Sequence, residues 1–142
     1  MSKARYWICG FLLFVVVAGL VMFPMMIRAF DEQARMRSLE PAELDHASAA
    51  DGEHPGSFSY GEGDFTVTVS VVVEVADGRI VSIAVTENED RSHPQNAEAV
   101  LPRVIAEQSL RVDAVSGATT TSKALLKAVE NALVAAGATV VE

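Results

Sequence analysis

Cysteine, histidine and aromatic side chains are scarce in this chain of 142 residues, which holds one Cys, three His, one Trp, two Tyr and six Phe. The single cysteine, Cys9, lies inside an apolar run. That excludes an intrachain disulfide and any cysteine-based metal site in the remainder of the chain. Tyr6-Trp7-Ile8 stands where a lipoprotein signal wants small residues, so Cys9 reads as apolar filler. His46, His54 and His93 stand far apart with no ligand spacing, so each reads as a structural histidine and no metal site is expected. Positive charge is also short. Residues 31–142 carry eight of the eleven Lys/Arg and all nineteen Asp/Glu, a formal charge of −11. Such a surface repels nucleic acid and anionic headgroups at long range, which argues against polyanion binding and favours solubility. No segment repeats at a fixed period.

The longest apolar stretch, residues 6–27, runs for 22 residues without a charge. At ~1.5 Å per residue it reaches roughly 33 Å, about the hydrocarbon thickness of a bilayer. Tyr6 and Trp7 at one end and Arg28 at the other suit the two interfaces. A cleavable signal would have a shorter apolar core and a small-x-small site, which Met26-Ile27-Arg28-Ala29-Phe30 does not supply. Residues 1–30 are therefore expected to form a single N-terminal transmembrane anchor in the lipid bilayer. Its orientation is open on charge, because Lys3, Arg5 and the amino terminus balance Arg28, Arg35 and Arg37. Residues 31–55 are polar and Ala-rich, broken at Pro41, and end in Asp51-Gly52-Glu53-His54-Pro55, with Gly56 next. They read as a juxtamembrane linker, with the membrane helix extending a few turns into them.

Residues 56–142 form the soluble domain. Between 65 and 75, Val67, Val69, Val71, Val73 and Val75 alternate with Thr, Ser, Val and Glu, the period of a half-buried strand. Asp77-Gly78 suits the positive φ angles of a two-residue hairpin turn, and residues 79–86 return with Val81, Ile83 and Val85 on one face. Residues 57–60, before the Gly61-Glu62-Gly63 turn, could add an outer strand. Ala97, Val100, Leu101, Val104, Ile105 and Gln108 have helical spacing that Pro102 interrupts, so a kink or a short helix starting there is expected. Leu125, Leu126, Val129, Ala132, Leu133 and Ala136 make a second helical stripe, with Lys123, Lys127 and Glu130 on the wet side and Gly137 as a stop. The expected class is α+β, a small antiparallel sheet covered by two helices and preceded by a single transmembrane helix.

Asp113-Ala114-Val115-Ser116-Gly117-Ala118-Thr119-Thr120-Thr121-Ser122 leads into that last helix. The first amides of a helix lack internal partners and the helix dipole is positive there, so the place suits a phosphate. Gly117 and Ala118 let a ligand approach the backbone, and Ser116, Thr119, Thr120, Thr121 and Ser122 surround the point with hydroxyls. No Gly-Lys-[Ser/Thr] ends the segment, so it is not a Walker loop. Two readings stay open from the residues alone: an anion-binding helix start with a threonine placed for esterification, or a plain Ser/Thr helix cap.

The segment resembles the signature of the FMN-binding domain family, which includes the flavin-bearing peripheral subunits of Rnf-type complexes and of the sodium-translocating NADH:quinone reductase. The likeness extends through Gly61 and Gly63, the Val-rich strand, Asp77-Gly78, Leu101-Pro102, Gln108-Ser109 and Val112-Asp113. It covers roughly residues 56–137. The resemblance implies FMN as cofactor, attached by a phosphoester to Thr119 by a flavin transferase that splits FAD. Asp113, Ser116, Gly117 and Ala118 match the pattern that the transferase reads. The resemblance also implies a soluble domain outside the cytoplasm on a single-pass anchor in the inner membrane, with membrane redox proteins as partners. Thr120, Thr121 and Ser122 complete the expected cofactor-binding set, and Tyr60, by the Gly61–Gly63 turn, is a second contact candidate. Of the aromatics able to stack on a flavin, Phe58, Tyr60 and Phe65, each reads first as sheet-edge packing. No nucleophile–base pair or carboxylate pair flanks the motif, so no catalytic residue is assigned and the expected role is electron transfer. The alternatives are a non-covalent FMN binder and a flavin-free membrane-tethered interaction module.

Overall fold

The structure is a computed structural model describing residues 2–61, 63, 66–90 and 94–141. Two compact units divide the chain at Arg35/Met36. The first is helical, belonging to α1 (Ser2–Ser38), and α1 continues through Pro24. The stretch Trp7–Ser38 has a mean hydropathy of 2.6 in its most apolar part, and α1 is long and apolar enough to cross a membrane. Large side chains such as Phe11, Phe14, Leu20 and Phe23 are exposed.

The second unit is built on an antiparallel sheet of order β2-β3-β4, with β2 at Gly52–Tyr60, β3 at Val67–Ala76 and β4 at Arg79–Asn88. Alternation in β3 buries Val69, Val71, Val73 and Val75 on one face. Asp77 (φ 52°) and Gly78 (φ 68°) make the two-residue turn, both left-handed, matching the twist that such a hairpin needs. Phe65, expected at the head of β3, and His93 lie outside the described residues.

The return strand departs from simple alternation. Ile80 is buried opposite Val75, whereas Val81 is half exposed. The register slips between Glu74 and Val75, since Glu74 pairs with Ser82. Val81 is thus the extra residue of a bulge, which resets the phase so that Ile83 and Val85 again meet the core.

The covered face of the sheet carries α4 (Thr119–Ala135), which packs across β2 and β3, while the short helix α2 (Pro94–Glu98) packs on α4 and α3 (Leu101–Glu107) lies against β4. Pro102 stands in the first turn of α3, where its missing N–H has no helical acceptor to lose. All six apolar positions expected on α4 are buried. The helix ends in a Schellman arrangement: Ala138 N–H reaches Leu133 O at 2.9 Å and Gly137 N–H reaches Val134 O at 3.0 Å, with Gly137 at φ 97°. The fold is α+β, as the sequence implies.

Two local expectations change. Glu130 was expected on the wet side of α4 but is buried, because it accepts the Ala42 amide at 3.0 Å and pairs with Lys127 at 2.7 Å. Within the stretch read as a linker, Met36, Leu44 and Ala49 are buried in the core of the second unit. There β1 (Leu44–Asp45) pairs with β5 (Thr139–Val140), and β2 begins at Gly52. Met36 and Leu44 each stand alone between charged neighbours and Ala49 lies in a short Ala/Ser run, so no periodic pattern marks them in the sequence.

Candidate functional site

The connection from α3 to α4 is held at three points. Gln108 ends α3 in a left-handed conformation (φ 52°). Its side-chain amide spans the edge of β4, accepting the Ile80 N–H at 2.9 Å and donating to Ile80 O at 2.8 Å. Arg103 Nη1 donates to Asp113 O at 3.0 Å. Ser122 Oγ accepts the Val115 N–H at 3.2 Å, and the Ala118 N–H returns to Val115 O at 3.0 Å. Gly117 turns the chain at φ 82°, and a β-carbon added there would meet open space. Its conformation, not crowding, selects glycine.

Ala118 is the N-cap and has no side-chain cap bond. The cap reading of the Ser/Thr cluster therefore does not describe this helix start. Ser122 N–H makes the first helical bond, to Ala118 O at 2.9 Å. The amides of Thr119, Thr120 and Thr121 precede it and lack intrahelical acceptors, as the first turn of any helix must.

Burial sorts the hydroxyls. Ser122 is fully buried and occupied by Val115, and Thr121, 3% exposed, donates to the Asp90 carboxylate. Thr119 and Thr120 are half-buried, while Asp113, Ser116 and Gly117 are exposed. Thr119 thus combines the first helical position with an accessible side chain. Tyr60, at the far end of β2, belongs to the same neighbourhood. Burial raises its pKa above 10.0, a hydrogen bond with Thr121 pulls it down, and the Asp90 charge raises it again. The predicted set therefore falls into two groups: the loop and helix start from Asp113 to Thr120, and the partly buried Tyr60–Thr121 pair.

Asp90, Arg103 and Asn88 were missed. Asp90 and Asn88 lie in or next to the loop after β4, where no periodicity singles them out, and Arg103 reads as an ordinary wet-face residue of α3. Asn88 Oδ1 accepts the Asp90 N–H at 3.1 Å, while its Nδ2 is buried with no hydrogen-bond partner among the described residues.

This is a small α+β domain whose helix start presents bare amides and an accessible threonine behind a glycine turn, a place able to take an anionic ligand group. The chain belongs to the FMN-binding domain family, whose model matches residues 63–134, half of the sequence and the whole of the loop and helix start. No curated protein and no solved structure matches it. The free first-turn amides of α4 and the open space at Gly117 are of the kind that an FMN phosphate requires.

Proposed function

We propose that the protein is a membrane-anchored electron-transfer flavoprotein in which FMN is tied by a phosphoester to Thr119. The observation that supports this most is the position of Thr119. It opens α4, inside a family match to FMN-binding domains, and its side chain is only half-buried, where Thr121 and Ser122 are buried with their hydroxyls engaged. A flavin transferase of the kind that splits FAD would join the Thr119 oxygen to the FMN phosphorus and release AMP and the hydroxyl proton. Asp113, Ser116, Gly117 and Ala118 would present the recognition pattern. The first-turn amides would then offset the remaining phosphoester charge.

When bound, FMN supplies one- and two-electron transfer. The chain supplies attachment, a fixed loop and an acidic surface. The apolar span of α1 supports a single-pass placement in the inner membrane. A domain outside the cytoplasm gives covalent linkage a purpose, since a lost flavin is hard to replace there. Its partners would be membrane redox proteins close to the bilayer, such as those of Rnf-type assemblies.

The test is co-expression of the full chain with a flavin transferase, read by intact mass and in-gel fluorescence. Wild type should carry the added FMN mass and a fluorescent band, and Thr119→Ala should lose both. A labelled Thr119→Ala protein overturns the acceptor assignment. An unlabelled wild type that quenches added FMN supports the non-covalent alternative, and one that ignores FMN supports the flavin-free module.

A further inference from the structure

Asn88 ends β4 opposite Val69, which itself faces Phe58 on β2. Directly opposed residues in neighbouring strands share a face, and Val69 is wholly buried, so Asn88 turns toward the helix-covered side. Phe58 and Tyr60 pack against the core on that same side. Asp90, two residues further on, joins this end of the sheet to the first turn of α4 through Thr121. The row therefore ends in two aromatic rings, an amide and a carboxylate beside the helix start.

The amide is half used. Its oxygen closes a local turn on Asp90 N–H, but its Nδ2 donor is buried and meets no acceptor among the described residues. Buried donors are paired in the great majority of folded proteins, and an orphan calls for a missing partner. The phosphate is already assigned to Thr119, so the group of the same ligand open to this donor is a neutral carbonyl oxygen. The rings of Phe58 and Tyr60 offer an apolar wall of the sort that a flat heteroaromatic needs.

We infer that Asn88 is a contact for the flavin ring, its side-chain amide donating to a carbonyl oxygen on the polar edge of the isoalloxazine, with Phe58 and Tyr60 beside it. The inference rests on the FMN reading and adds a ring position to the phosphate position at Thr119.

The test uses the full chain in detergent micelles, prepared flavin-free and after loading by a flavin transferase or with added FMN. Asn88→Asp keeps an oxygen for the Asp90 amide and removes the donor, and Asn88→Leu removes the donor without adding charge. Both should leave the flavin-free protein folded, yet raise iodide quenching of the loaded flavin several-fold and shift its visible spectrum. Equal quenching and an unchanged spectrum in both variants overturn the inference while the FMN reading stands. If the variants do not fold, hydrogen exchange in the wild type decides: residues 84–90 should gain protection on loading, and no gain overturns the inference. A wild type that takes up no flavin by either route instead refutes the underlying FMN reading, and the inference falls with it.

Discussion

The Ser122 hydroxyl, wholly buried in the first turn of α4, accepts the amide of Val115 at 3.2 Å and so ties the loop to the helix that it feeds. In the sequence Ser122 looks like one more member of a hydroxyl cluster. In the fold it sets where the others stand. Ser122→Ala should leave the Val115 N–H without its acceptor and destabilise the domain by about 1–3 kcal/mol. A chemical melt of the full chain in detergent checks that figure. The same variant should incorporate flavin more slowly, although the Thr119 hydroxyl is intact. Wild-type stability together with a wild-type rate would show that the tie has no role.

Gln108 allows two effects to be separated. Its left-handed backbone is unfavourable for a side chain with a β-carbon by roughly 1–2 kcal/mol, while its amide clips the edge of β4 at Ile80. Gln108→Gly relieves the backbone but loses the clip, and Gln108→Ala loses the clip with no relief. The expected order of stability is wild type, then Gln108→Gly, then Gln108→Ala. In both variants the Ile80 amide should exchange faster. An alanine variant as stable as the glycine variant would mean that backbone strain at this position is unimportant.

The contrast between Ser122 and Gln108 on one side and the valines of β3 on the other shows what a sequence reveals. Val69, Val71, Val73 and Val75, the Asp77-Gly78 turn and the α4 stripe follow from period and turn chemistry, which are local properties. The bulge at Val81 could not be seen, because alternation carries no mark of a residue that drops out of register. Nor could the burial of Glu130, whose partner Ala42 lies 88 positions away. The site divides in the same way. The Asp113–Ser122 segment was legible because it is contiguous, whereas Asp90 and Asn88 enter only when β4 is laid beside the start of α4.

Gly56 lets β2 run close against α4. A β-carbon there would stand 2.2 Å from Ala128 O and 2.6 Å from Ala132 N, both backbone atoms of the helix. Backbone cannot swing aside as a long side chain can, so Gly56→Ala must push the strand and helix apart. Overpacking of this kind costs about 1–3 kcal/mol. Asn131, which donates to Ser57 O at 2.8 Å across the same contact, should be displaced with it. A denaturant titration showing an unshifted midpoint would contradict the close approach.

Tyr60 gives the site an alkaline signature. Its phenol is held above the ordinary value of 10.0 chiefly by burial, which the Thr121 hydrogen bond opposes and the Asp90 charge reinforces. A raised pKa means that the folded protein keeps this proton at pH values where the unfolded chain releases it. The stabilising contribution is therefore complete below pH 10.0 and is lost as pH climbs through the folded-state value. Tyr60→Phe should flatten that part of the stability curve. Asp90→Asn should move the tyrosinate absorbance transition to lower pH, because it removes a like charge from the ionised phenol. Tyr6 is the other tyrosine in the chain, so the Tyr60→Phe protein isolates its titration from that of Tyr60. A transition unmoved by Asp90→Asn would mean that the carboxylate does not act on the phenol, and the electrostatic link between β2, the loop after β4 and the start of α4 would be lost.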